Sequence, residues 1–113
     1  MHELAITQSL LELVLAEAQK AGAEKVLEVN VVLGEMSGVV DHFIESNFSL
    51  LSRDTAASGA RLTFHKVPQE ARCRRCGHLF HPGDSRWACP ECQSPEMEIT
   101  AGSELYVESI EVS

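Results

Sequence analysis

The apolar positions of this chain change period several times, and each change marks a predicted element. Across residues 4–21, Leu4, Leu11, Val14, Leu15 and Ala18 recur at three-to-four spacing, the signature of one helical face. Gly22 follows as a residue able to adopt the left-handed conformation that ends a helix. Residues 26–33, VLEVNVVL, switch to period two: Leu27, Val29, Val31 and Leu33 share one face of a strand, and Val26, Glu28, Asn30 and Val32 share the other. The second face is mixed, which predicts partial burial on both sides. GEMSG at 34–38 reads as a turn or loop. A second helix is predicted over 41–57, with Asp41 as N-cap and Phe43, Ile44, Phe48 and Leu51 facing inward. RLTFHKV at 61–67 is a second strand, ended by Pro68. ELYVESIEV at 104–112 is a last strand whose phase slips: Leu105 and Val107 share one face, Ile110 and Val112 the other. A bulge near Ser109, or burial of both faces, accounts for the slip.

The order is α-β-α-β, a cysteine-bearing segment, then β. The final strand is expected to return to the sheet of the first two. The predicted class is α+β: a small three-stranded sheet with two helices, plus an inserted zinc-ribbon-like domain built on four cysteines. The expected division is 1–68 with 99–113 for the α/β unit and 69–98 for the inserted one. The two crossings, 68–72 and 96–103, leave room for a hinge.

The inserted segment carries CRRC at 73–76 and CPEC at 89–92, a C-x2-C-x12-C-x2-C pattern. Two residues between cysteines let both sulfurs of a turn face one ion, and two such turns make a tetrahedral four-sulfur site from Cys73, Cys76, Cys89 and Cys92. Zinc is the default ion and rubredoxin-like iron the rival, with only Phe80 and Trp87 as nearby aromatics. A closed four-cysteine zinc site has no position for water, so it is structural, and its ion supplies most of the segment's folding energy. A thioredoxin-type redox pair needs one C-x-x-C at a helix start, not two mirrored pairs. His78 and His81 lie beside the cysteines, either facing solvent or tuning the sulfurs as pH or metal load changes.

Charge narrows the function classes. The net charge of −8 is uneven: 1–70 and 96–113 are each −5, and only 71–95, with Arg72, Arg74, Arg75 and Arg86, is positive at +2. Such a chain repels phosphate backbones, so nucleic acid is not an expected partner, and a zinc-ribbon adaptor on DNA or RNA is the alternative reading. No window reaches the ~18 apolar residues of a membrane span. The start lacks the basic and apolar regions of a signal peptide. A cytoplasmic location is expected, where thiols stay reduced and paired cysteines bind metal. Neither a glycine-rich phosphate loop nor a serine–histidine–acid spacing points to an enzyme.

The first residues, MHEL, carry a different metal chemistry. The α-amine of Met1, the amide nitrogens of His2 and Glu3, and the His2 imidazole form a planar nitrogen set that suits Ni(II) or Cu(II). These amides fall in the first turn of a helix, where no intrahelical acceptor needs them. A bulky second residue such as His2 keeps Met1 in place. Without further information, His2 is also readable as a frayed terminal residue.

MHEL, the GEMSG loop and CRRCG…CPEC before a final strand together resemble the HypA/HybF family, nickel-incorporation accessory proteins of [NiFe]-hydrogenase maturation, over essentially the whole chain. The resemblance implies a transient Ni(II) cargo held by the Met1 amine, backbone nitrogens and His2, with Glu3 important for nickel or for partner contact. It implies structural Zn(II) on Cys73, Cys76, Cys89 and Cys92. Asp41 is the nearest acidic residue after the loop to match one linked to nickel in the family. The implied partners are a GTPase of nickel maturation and the immature [NiFe]-hydrogenase large subunit, and some members also supply urease maturation proteins.

Overall fold

The computed structural model describes residues 2–82 and 88–113, the side chain of His2 excepted. Helix α1 (His2–Lys20) stops at Gly22, which has φ of 66°. The Gly22 N–H donates to the Gln19 carbonyl and the Ala23 N–H to the Ala18 carbonyl, both at 3.0 Å. These paired bonds are a Schellman stop, as the glycine predicts. The helix buries Thr7, Leu10, Leu11, Val14 and Ala18, whereas Leu4 and Leu13 stay about half exposed. The Thr7 hydroxyl donates to the Glu3 carbonyl one turn back, so the helix satisfies this buried polar group internally.

Strand β1 (Val26–Gly34) is the centre of a three-stranded sheet. It pairs parallel with β2 (Arg61–Val67) and antiparallel with β6 (Leu105–Val112), so the strand after the cysteines does return to the first sheet. Two bulges set its register. One lies between the pairs Asn30↔Ser109 and Val31↔Val107, where Glu108 is the extra residue. It resolves the phase slip in β6, because Leu105, Val107, Ile110 and Val112 all pack on the same core. The other lies between Val26↔Val112 and Glu28↔Glu111 and turns Leu27 outward, to 46% exposure, while Val26 is fully buried. Simple alternation put Leu27 inside; a one-residue slip reverses the faces. On the opposite face, Val32 is also buried, in register with His65 and Tyr106.

Helix α2 (Asp41–Leu51) packs on α1 and buries Ile44 and Phe48, while Phe43 points outward. It ends before residue 57. The Thr55 hydroxyl donates to the Ser52 carbonyl (2.6 Å) and accepts from the Ala57 N–H (3.1 Å), and Asp54 is left-handed at φ 63°. Local side-chain bonding thus replaces the helical ladder with turns. The main core joins Val14, Val26, Val29, Val31, Ile44, Phe48 and Ala57.

The cysteine segment forms its own antiparallel sheet, which the sequence pattern did not predict. Strands β3 (Glu70–Cys73), β4 (Leu79–Phe80) and β5 (Met97–Ala101) lie in the order β4-β3-β5. Among the described residues its buried hydrophobic cluster is Ala71, Cys73, Phe80 and Cys89. The radius of gyration is 17.7 Å, against ~13 Å for a compact chain of this length. The molecule is elongated, with its two sheets meeting at a narrow junction.

Backbone bonds lace the GEMSG loop to both crossings. The Gly34 N–H donates to the Glu104 carbonyl (2.7 Å), Met36 N–H to Gly102 (2.6 Å) and Glu35 N–H to Val67 (2.9 Å). The Gln69 N–H donates to the Glu35 carboxylate at 3.1 Å. A Cβ on Gly34 would sit 2.1 Å from the Gly102 oxygen, so only glycine permits this approach. Among the described residues no helix is long and apolar enough to cross a membrane.

Candidate metal centre

The two C-x-x-C turns are built alike. Cys73 ends β3, and its N–H donates to the His78 carbonyl at 2.9 Å; the Cys89 N–H donates to Ser94 at the same distance. The Gly77 N–H returns to the Cys73 carbonyl (3.0 Å) and the Gln93 N–H to Cys89 (2.7 Å). Gly77 and Gln93 are both left-handed, at φ 79° and 64°. A glycine at the place of Gly77 is itself a sequence signal for this conformation, whereas Gln93, at the same offset from Cys89, gives none.

Each turn aims backbone N–H groups at its first sulfur. Cys73 Sγ accepts from Arg75 (3.3 Å) and Cys76 (3.4 Å), and Cys89 Sγ accepts from Glu91 (3.4 Å). All four sulfurs lie within 4.8 Å of one another, with Cys73–Cys92 at 3.5 Å and Cys76–Cys89 at 3.6 Å. These separations are too long for disulfides. They are close to the ~3.8 Å edge of a tetrahedron built on Zn–S bonds of ~2.3 Å. Cys73 and Cys89 are buried and Cys76 and Cys92 exposed, so the cluster sits at the surface of the small sheet.

The sulfurs cannot all ionise without a cation. The Cys76 and Arg75 N–H groups, aided by neighbouring thiols, pull the Cys73 thiol down to about 6. For Cys76, the His78 N–H favours the thiolate, but lost hydration and the three other sulfurs outweigh it and push the thiol up to about 12. Cys92 is raised as well: the Ser94 N–H opposes the rise, and Cys73 is its largest cause. A bound cation removes this conflict.

No histidine joins the cluster among the described residues. The His78 ring stacks on Phe80, with centroids 6.2 Å apart. His81 Nδ1 lies 2.8 Å from the Gln69 carbonyl oxygen, which ties the small sheet to the junction. The basic stretch is partly neutralised: Arg72 pairs with Glu98 at 3.5 Å and Arg74 Nε donates to the Met97 carbonyl at 3.3 Å. Arg86 and Trp87 lie outside the described residues.

In the larger unit, Met1 and the His2 side chain also lie outside the described residues. Glu3 is half-buried in the first turn of α1. The positive chain terminus, then the N–H groups of Glu3 and Val40, hold its carboxyl below the ordinary value. Val40 is the N-cap of α2, and Asp41, the predicted cap, is instead the first helical residue. Its side chain is drawn elsewhere: one oxygen accepts from the His42 N–H at 2.7 Å and the other meets Lys66 Nζ at 3.1 Å. Lys66 first, then His42, lower the Asp41 carboxyl. Gly34, Glu35, Val39, Val40, Asp41 and Lys66 line a cavity of about 310 Å³ there, beside the GEMSG loop. Sequence reasoning did not single out Lys66; its place in β2 gives no signal until β2 is set parallel to β1.

Comparison with known proteins agrees with this architecture. A family model described as hydrogenase/urease nickel incorporation, metallochaperone, hypA matches residues 1–112. The chain is 47% identical to hydrogenase maturation factor HypA of Dehalococcoides mccartyi over 112 residues, covering 99% of this chain and 94% of that one. It is 38% identical to the HypA of Caldanaerobacter subterraneus, with 99% of each covered. The solution structure of the Ni metallochaperone HypA from Helicobacter pylori matches with a TM-score of 0.68 at 29% identity, covering 99% of this chain and 97% of that one. A second HypA solution structure matches at 0.77 and 30%, covering 100% and 97%. The chain belongs to the HypA family of nickel metallochaperones for hydrogenase maturation.

Proposed function

We propose that this chain binds Ni(II) at its N-terminus and hands it to the immature [NiFe]-hydrogenase large subunit, working with a GTPase of nickel maturation in the cytoplasm. Nickel is held by the Met1 amine, backbone nitrogens of the first turn and the His2 imidazole, with Glu3 and Asp41 as carboxylate contributors. The observation that carries the reading is the family match over residues 1–112, which takes in both MHEL and the cysteine pairs. The contact of Glu3 with the Val40 N–H, one residue before Asp41, supports including both carboxylates. Lys66 competes with any cation for Asp41.

Zn(II) is the ion proposed for Cys73, Cys76, Cys89 and Cys92. Four clustered sulfurs suit zinc, and their separations fit its tetrahedron. When bound it supplies a cross-link and positive charge, with no chemistry on substrate. The protein is a carrier, not an enzyme; GTP hydrolysis belongs to the partner. The α1–α2–β2-β1-β6 unit handles nickel, and the β4-β3-β5 unit is its zinc-held companion. The same cargo serves urease maturation where the host has that enzyme.

The test is transfer. Zinc-loaded chain carrying radioactive nickel is mixed with the large-subunit precursor and the GTPase, and label on the precursor is counted. The native chain should transfer nickel, and His2→Ala should transfer no more than free nickel does. Equal transfer by both refutes the assignment.

A further inference from the structure

Strand β6 is at an edge of its sheet, with β1 on one side and, among the described residues, no strand on the other. Beside this free edge, α1 and β6 enclose an apolar groove. Its larger part, about 470 Å³, is lined mainly by Ile6, Leu10, Leu13, Leu105, Tyr106 and Val107. A second part, about 280 Å³, shares Leu13 and Val107 and continues to Glu17 and the segment 108–110. The groove thus follows β6 for most of its length. Leu13 is 46% and Tyr106 50% exposed there. Free edges invite strand addition, and proteins usually block them with lysine, proline or bulges. β6 has neither lysine nor proline, and one bulge at Glu108.

The charge of the groove selects its occupant. Glu17 and Glu108 line it, Glu104 immediately precedes β6 and Glu111 lies within it, and 96–113 contains no Lys or Arg. Two copies of β6 paired about a twofold axis would set these carboxylates against each other, which is unfavourable. We propose that β6 and the groove accept an extended segment of another protein, which adds a fourth strand to the sheet. That segment is apolar at alternate positions, filling the groove beneath α1, and carries Lys or Arg between them, facing the acidic side. Main-chain bonds along the edge supply affinity and the alternate side chains supply selectivity. None of the groove's lining residues is a proposed metal ligand, although Ala5 and Ile6 follow Glu3 within one turn of α1.

The test uses full-length, zinc-loaded protein and a synthetic peptide, acetyl-Lys-Val-Lys-Ile-Lys-Val-Lys-amide. Two controls accompany it: the same peptide with Glu for Lys, and the Lys peptide N-methylated at alternate amides. NMR shifts and amide-exchange protection locate binding, and fluorescence anisotropy measures it. The Lys peptide should bind saturably and protect outward amides of β6. The Glu and N-methylated peptides should not. Leu13→Ser and Glu108→Lys, both at exposed positions, should each weaken binding by about tenfold. The proposal is overturned by absent binding, by equal binding of the Glu peptide, or by perturbation away from α1 and β6. It is also overturned if β6 amides become protected merely on raising the protein concentration, since the occupant is then a second copy.

Discussion

Stripping metal from the four-cysteine cluster should unfold β3, β4 and β5 and leave the other sheet and both helices standing. Among the described residues the hydrophobic cluster of the small sheet is only Ala71, Cys73, Phe80 and Cys89, and two of these are proposed metal ligands. Burying one Phe contributes up to ~3 kcal/mol, while fixing the backbone costs ~1–2 kcal/mol for each residue ordered. The two strands β3 and β4 alone exceed what Phe80 can offset. The ion must therefore hold the unit together. Proton release gives the magnitude. In an unfolded metal-free segment the thiols return to ~8.5 and are nearly all protonated at pH 7. Loading then releases close to four protons per ion, one from each of Cys73, Cys76, Cys89 and Cys92, and apparent affinity falls ~10⁴-fold per pH unit on acidification. In a preformed metal-free site the outcome differs. Cys73, held at about 6, is already thiolate at pH 7 and contributes little, so no more than three protons appear. Calorimetry of zinc binding in buffers of different ionisation enthalpy counts the protons, and amide exchange follows the strands. Three or fewer protons together with retained protection of β3 and β5 would refute the reasoning.

Four further outcomes are expected. Gly34→Ala forces the junction apart, because its Cβ meets the Gly102 oxygen at 2.1 Å; it should cost ~1–3 kcal/mol in thermal melts. Gly38→Ala, with nothing within 4 Å of the added Cβ, should cost ~1 kcal/mol through its positive φ alone. Phe48→Ala empties the main core and should lose ~3–5 kcal/mol in urea unfolding, whereas Leu50→Ala, 57% exposed, should stay within ~0.5 kcal/mol. Asp41→Asn should barely change the melting temperature at pH 7, since its pair with Lys66 is solvent-exposed, yet should weaken nickel binding in titration. Because the Asp41 carboxyl is lowered in the fold, its small contribution is complete above its ordinary value of 3.8 and is lost as pH falls through the lower folded value.

Local pattern revealed most of the larger unit. Helix and strand periods located α1, β1, β2 and β6, and the phase slip between Val107 and Ile110 pointed to a bulge near Ser109 or to burial of both faces; the bulge is present, one residue earlier at Glu108. The C-x2-C pairs announced their own cluster, because a chelate needs only local spacing. What escaped was either non-local or decided by small side chains. Leu27 reads as inward until the register with β6 is known. Phe43 and Ile44 are adjacent and equally apolar, and only packing on α1 turns one of them out. The end of α2 depends on the Thr55 hydroxyl, a local competitor that a hydrophobic pattern does not register. Strands β3 to β5 are short and carry few buried residues, so they have almost no period to read. Lys66 reaches Asp41 only through the parallel pairing of β1 and β2.

The central claim is that the first residues carry nickel, and one titration tests it. Ni(II) is added to zinc-loaded native chain and to zinc-loaded His2→Ala, followed by calorimetry and by the absorption spectrum. One nickel should bind per native chain, with the visible band of a planar nitrogen-ligated ion, and none should bind the variant, whose fold and zinc content are unchanged. Equal nickel binding by the two proteins would contradict the claim and move the cargo site away from the N-terminus.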